Sequence, residues 1–171
     1  MNNIPYFLYS IILYPIIFIL PAYAANGAPV IFGGGKPIDF NKRFRKKRIF
    51  GDHKTIRGTL SSFIAGLLTG LIEFHFFHYM LLVSVFMVIG VNFGDLFGSF
   101  IKRQLNFNSG KSFPFLDQYG FFAFALLFVY AFAYSHFPDL YGMVFLIILT
   151  GLLHLSTNIG AYKLKLKHVP W

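Results

Sequence analysis

The chain has 171 residues, 56% hydrophobic and 12% charged, with a formal net charge of +9 and no cysteine. Five membrane spans of about 20 residues each would use more than half of it, which leaves one membrane domain over 1–171 and no length for a separate soluble domain. Without Cys there are no disulfides or thiolate metal sites, and cations set beside apolar runs, not on a folded basic surface, argue against nucleic acid.

The first apolar run predicts a helix over 4–25, interrupted by Pro5, Pro15 and Pro21. Membrane helices tolerate proline where neighbours satisfy the freed carbonyls. Ala22-Tyr23-Ala24 has the form of a signal-peptidase site, but Met1-Asn2-Asn3 carries no positive charge. The run therefore reads as a retained anchor with its N-terminus outside. The loop from Asn26 to Gly58 follows. It holds nine cations: Lys36, Lys42, Arg43, Arg45, Lys46, Lys47, Arg48, Lys54 and Arg57. A loop this long is functional or disordered. The second helix, 59–77, reaches the outer face near Glu73, His75 and His78, and the third covers 79–101. Gly66 and Gly70 on one, with Gly90, Gly94 and Gly98 on the other, predict a close approach of helices two and three. Lys102, Arg103 and Lys111 occupy the next gap. Helices 119–136 and 140–162 form a hairpin, and Lys163, Lys165 and Lys167 end the chain. The N-terminus, the second gap and the fourth gap hold no Lys or Arg. This alternation predicts an all-α integral membrane fold of five transmembrane helices, N-terminus outside and C-terminus cytoplasmic.

Asp95 lies inside an apolar run near its cytoplasmic end, where a carboxylate is costly unless paired, so it is a functional candidate. Asn92, Asp95, Ser99 and Lys102 follow spacings of three and four and share one helix face, with Arg103 four after Ser99. Asp117 immediately precedes the fourth run, at the same expected depth as Asp95. Two carboxylates with nearby Lys and Arg suit a Mg²⁺-phosphate site. Taken alone, Asp117 also reads as a charge complementing a helix dipole. His154, Asn158 and Tyr162, each four apart, form either polar contacts between helices or a third wall of the pocket. The segment 51–58 places Asp52, Lys54, Thr55 and Arg57 between glycines, a composition suited to phosphate. The basic run 42–48 is explained mainly by topology and anionic lipid. Gly110-Lys111-Ser112 is not a P-loop, because Leu105 stands where the first Gly is required. Glu73, His75 and His78 read as interfacial residues at a turn, not as a metal site.

Several motifs in order then resemble the CDP-archaeol synthase family. They are Pro21-Ala22-Tyr23-Ala24-Ala25-Asn26, Pro37-Ile38-Asp39, the segment 51–58, Gly94-Asp95-Leu96 with Ser99-Phe100-Ile101-Lys102-Arg103, Leu116-Asp117-Gln118, and Val169-Pro170-Trp171. The order of Gly-Asp, Ser, Lys-Arg and Asp is also similar to CDP-diacylglycerol synthases. Two positions depart from the family pattern: His53, where Gly is commoner, and Gly120, where an acidic residue is usual. The second removes a third carboxylate.

The resemblance implies transfer of CMP from CTP to an inner-leaflet lipid phosphate, with release of diphosphate. It implies Mg²⁺ on Asp95 and Asp117, and phosphates held by Lys54, Arg57, Lys102 and Arg103. Asn26, Asp52, Thr55, Ser99, His154 and Asn158 would line the pocket. An ester phosphatidate is the alternative substrate. A small membrane transporter or lipid-binding protein is the non-enzymatic alternative.

Overall fold

A computed structural model describes residues 5–108 and 113–165. Lys111, Lys167 and the motif Val169-Pro170-Trp171 lie outside them. Among the described residues there are five long helices, with one two-stranded hairpin between the first two. Four of the five are long and apolar enough to cross a membrane.

Helix α1 runs over Tyr6–Phe32. Its turn at Tyr9–Leu13 is π-helical and ends two residues before Pro15. Proline has no N–H to close an ordinary turn, and a π-bulge accommodates the gap. The helix continues seven residues past the expected end at 25, so Asn26 is helical and not in the loop. Small and rigid residues line its buried face, among them Pro21, Ala22, Ala25 and Ala28.

Helix α2, Ile56–Phe74, is capped by Thr55, whose Oγ1 accepts from the Gly58 amide at 3.0 Å. Its buried positions are Gly58, Ser62, Gly66, Gly70 and Glu73, almost every fourth residue. On the other side Leu60, Ile64, Leu68 and Leu71 are more than half exposed. The helix is thus amphipathic in reverse, small and polar inward, apolar outward. That is a face suited to lipid outside and close helix contact inside. With that polar inner face, it is the one of the five not among the four apolar enough to cross a membrane.

Helix α3, Met80–Gln104, forms the spine. Gly66 and Gly70 of α2 fit against its Val88 and Ser84, as the spacing predicts. Gly90, Gly94 and Gly98 do not take part in that contact. They face α4, Pro114–Ala133. A Cβ on Gly94 would stand 2.7 Å from the Gly120 carbonyl oxygen, and one on Gly98 3.4 Å from Leu116. The glycine ladder therefore serves helices three and four, a correction to the expected pairing. The physical reason is rotation: Gly90, Gly94 and Gly98 stand on a different face of α3 from Ser84 and Val88.

Helix α5, Leu140–Lys163, is capped by Asp139, which accepts from the Gly142 amide at 2.7 Å. It packs on α1 and α4, where the Tyr23 and Thr150 hydroxyls bond at 2.8 Å.

Candidate active site

The loop over 33–55 is ordered by one buried carboxylate. Asp39 is 4% exposed and accepts hydrogen bonds from Arg48 Nη2 at 2.8 Å and from the Phe50, Gly51 and Asn41 amides at 2.9, 3.1 and 3.1 Å. Burial opposes its ionisation. The hydrogen bonds from Arg48 and the three amides outweigh that and hold the carboxyl well below the usual carboxylate range. Arg48 reaches on to Asp52 Oδ1 at 2.7 Å, and the two carboxylates hold its guanidinium above the ordinary value against the opposing effect of burial. Gly51 is needed where it stands, because its φ of +91° is hard for a side chain to adopt.

The two ends of the loop are stitched together. The Ile38 amide donates to the Lys54 carbonyl at 2.8 Å, and the Ile56 amide to the Lys36 carbonyl at 3.1 Å. This fixes the backbone of Lys54 at the threshold of α2. Its ammonium then meets Asp95 Oδ2 at 2.7 Å. Lys102, two turns along α3 from Asp95, meets Asp117 Oδ1 at 2.6 Å. Asp117 Oδ2 also accepts from the Phe113 amide at 2.8 Å, so it ties down the start of α4 as well. Since Gly94 lies against Gly120 and Gly98 against Leu116, Asp95 and Asp117 stand within about one helical turn of each other along the bundle.

Two clefts adjoin these pairs. One, of about 310 Å³, is lined by Pro29, His53, Lys54, Thr55, Gly58, Thr59, Asn92, Asp95 and Leu96. Asn92 is held in its wall by donating to Ser62 Oγ at 3.0 Å. The other, open and about 740 Å³, is lined by Arg48, Gly51, Asp52, Arg103, Asn106, Phe107 and Asn108. Arg103 is 8% exposed, and its Nε has no hydrogen-bond partner among the described residues. Arg103 thus brings a positive charge to the wall of the larger cleft.

Of the residues singled out in the sequence, Lys54, Thr55 and Asp95 meet in the first cleft, and Asp52 and Arg103 in the second. Lys102 and Asp117 stand beside them as an ion pair. Ser99 is buried on the same helix. Arg57 is exposed on the first turn of α2 and lines neither cleft. Asn26 lines neither. His154 Nδ1 and Asn158 Nδ2 are 3.0 Å apart on α5, and neither wall includes them. Sequence reasoning gave Asp39 and Arg48 no role. The available signal was a lone carboxylate ahead of a cationic run, with Arg48 the last cation before Gly51-Asp52.

Comparison with known proteins agrees in extent. The family model described as CarS-like, CDP-archaeol synthase, matches residues 8–171. A CDP-archaeol synthase of Methanococcus aeolicus is 44% identical over 171 residues, covering 91% of this chain and 94% of that protein. One from Pyrococcus furiosus is 45% identical over 161 residues, covering 90% and 95%. The solved structure of an intramembrane enzyme for archaeal membrane lipids biosynthesis matches with a TM-score of 0.79 at 35% identity, over 86% of this chain and 94% of that one.

Proposed function

The chain belongs to the CarS-like, CDP-archaeol synthase family, and on that premise we propose how its two clefts carry out CTP-dependent cytidylyl transfer. The enzyme forms CDP-archaeol in membrane lipid biosynthesis. A lipid phosphate oxygen attacks the α-phosphorus of CTP, and diphosphate leaves. Such chemistry is mostly positioning and charge neutralisation.

The observation that carries the assignment is the pair of lysine-bound carboxylates, Asp95 with Lys54 and Asp117 with Lys102, beside the buried Arg103. Among the described residues no group of three or more His, Asp or Glu could hold a metal. The two carboxylates Asp95 and Asp117 suit Mg²⁺, which takes one or two carboxylates and completes its shell with water and phosphate oxygens. Asp95 and Asp117 would hold the ion, which when bound would neutralise charge on the phosphates. Lys54 and Lys102 exchange their carboxylate partners for phosphate oxygens when the nucleotide arrives. Arg103, in the wall of the larger cleft, holds the leaving diphosphate there. The smaller cleft, walled by Pro29 and Leu96 as well as by Lys54, takes the lipid phosphate at its boundary with the bilayer.

The bundle lies across the membrane with all five helices spanning, the N-terminus outside and the site cytoplasmic. Cation placement supports this orientation. The exposed apolar stripe of α2 supports a fifth span, since 19 residues reach about 28 Å. The chain has no cysteine, so cysteines placed at His78, Asp139 and Lys46 report sidedness directly. Labelling of position 46 from outside intact cells would overturn the orientation.

The activity test is Mg²⁺-dependent diphosphate release from CTP, ATP or GTP, with ether or ester lipid phosphate. We expect release only with a lipid phosphate present, with CTP or dCTP preferred to purine nucleotides and the ether lipid preferred to the ester. Equal turnover of ATP and CTP would remove the assignment.

A further inference from the structure

The basic run 42–48 divides in two. Lys47 and Arg48 turn inward: Lys47 donates to the Gln104 carbonyl at the end of α3, and Arg48 pairs with Asp39 and Asp52. Lys42, Arg43, Arg45 and Lys46 are exposed, and no ion pair involves them among the described residues. They ride on the hairpin of strands β1, Arg43–Phe44, and β2, Lys47–Arg48. Two large aromatic side chains accompany them. Phe40 is 61% exposed and Phe44 46%. The Arg45 guanidinium lies 5.4 Å from the centre of the Phe44 ring.

The turn itself is unusual in composition. Arg45 and Lys46 have φ of 48° and 66°, the paired left-handed conformation of a two-residue hairpin loop. Asn-Gly is the usual solution there, because other side chains adopt it at a cost. The strain puts two cations at the outermost point of the loop. The hairpin is also anchored at a fixed level. Phe44 packs against Phe100 of α3, with ring centres 5.8 Å apart, at the end of the helix that carries Lys102 and Arg103. Phe93 and Phe97 continue outward-facing aromatic surface along the same helix and are more than a third exposed. Cations outermost, aromatic rings beneath them and an apolar helix below reproduce the order of layers at a membrane surface.

We propose that the hairpin tip formed by Phe40, Lys42, Arg43, Phe44, Arg45 and Lys46 is a docking surface for anionic lipid headgroups at the membrane face beside the active site. Charge complementarity selects the occupant: four unpaired cations attract anionic headgroups, while the two rings enter the interface. The surface lies outside both clefts and holds the lipid phosphate of neither. Its effect is to hold the loop against the leaflet and to concentrate anionic lipid at the end of the bundle that carries the site. The inference rests on the reading that this end of the bundle meets a leaflet, and its main readout is independent of catalysis.

The test places an NBD fluorophore on Phe44→Cys in the otherwise cysteine-free chain, reconstituted in vesicles. Phosphatidylcholine alone is compared with phosphatidylcholine plus phosphatidylglycerol. We expect blue-shifted, brighter emission with the anionic lipid, reversed near 1 M salt, where the screening length falls to about 3 Å. The fourfold variant K42Q/R43Q/R45Q/K46Q should lose that response. Its KM for lipid phosphate should rise by about fivefold or more at unchanged kcat. Emission equal in both vesicles, with cytidylyl transfer intact, would overturn the docking surface and leave the enzymatic reading standing. A shift caused by inorganic triphosphate in phosphatidylcholine alone would also overturn it, because the tip would then serve a soluble phosphate. If the fourfold variant does not fold, the salt reversal on the labelled parent decides the question.

Discussion

The helical bundle and the 33–55 loop are held together by opposite means. In the bundle, order comes from apolar burial and from small residues that let backbones touch: Ala22, Ala25, Gly66, Gly90 and Gly94 sit where helices cross. In the loop, order comes from a single buried carboxylate and the five hydrogen bonds it accepts from Arg48, Phe50, Gly51 and Asn41. The bundle spreads its stability over many weak contacts, so no one residue decides it. The loop concentrates its stability on Asp39, and the site depends on both. Asp95 and Asp117 are set by the bundle, Lys54 and Asp52 by the loop.

The largest effect is expected where the two regions meet. Asp95→Asn and Asp117→Asn should each lower cytidylyl transfer by about 10²-fold or more, with the protein still folded and inserted. Asn keeps the shape of Asp and removes the charge that pairs with Lys54 or Lys102. The two changes should not add, since both disable one centre. Activity measured against Mg²⁺ concentration checks this, and full rate at low Mg²⁺ in either variant would reduce these carboxylates to helix-end anchors.

Asp39→Asn separates the regions. Neutralising Asp39 leaves Arg48 with only the exposed Asp52 as its carboxylate and weakens the acceptor of the Asn41, Phe50 and Gly51 amides, at a cost of about 1–3 kcal/mol. The loss should fall on the loop: protease cleavage within 33–55 and a large loss of activity, with helicity nearly unchanged. A variant that loses helical content to the same degree would show that loop and bundle fold as one unit. The pH dependence follows the same residue. Its folded carboxyl lies below the usual range, so its contribution is complete above the ordinary unfolded value of about 4 and is lost as pH falls through the depressed one. Loop protection should therefore stay level from neutral pH to about 4 and collapse only in stronger acid.

The same contrast explains what could be read in advance. Apolar runs and the placement of Lys and Arg mark the helices, because hydropathy acts residue by residue along the chain. The carboxylates Asp95 and Asp117 were legible for the same reason, as charges within or at the edge of apolar segments. The partner of the glycine ladder on α3 was not, because spacing shows that a face is small without showing which helix covers it. The structured loop was still less legible. Its order depends on Asp39 meeting amides eleven and twelve residues away, and no local pattern encodes that. The extension of α1 to Phe32 ran through Asn26, Gly27 and Pro29, residues that ordinarily end helices.

Two facing glycines sharpen the account of the bundle. Gly94→Ala would place a methyl 2.7 Å from the Gly120 carbonyl oxygen and 3.0 Å from the Phe124 Cβ. Backbone cannot yield as a side-chain tip does, so α3 and α4 must separate, at a cost of about 1–3 kcal/mol. That separation also moves Asp95 relative to Asp117, so activity should fall along with thermal stability.

Gly120→Ala is the smallest change and has the opposite sign. Gly120 offers its carbonyl to Gly94, while its own Cβ position meets only a Leu116 methyl at 3.9 Å, an ordinary contact. Nothing in the packing requires glycine there, and alanine is the better helix former by about 1 kcal/mol. The substitution should leave activity intact and raise the thermal midpoint slightly, whereas its neighbour across the interface lowers it. The open space at Gly120 has a further use. Gly120→Asp should fit without repacking and place a carboxylate one turn from Asp117. If that end of the bundle is the Mg²⁺ centre, the variant should reach half-maximal transfer at lower Mg²⁺ than the parent. An unchanged Mg²⁺ profile in a folded Gly120→Asp protein would place the metal away from this face of α4 and leave Asp95 as its principal ligand.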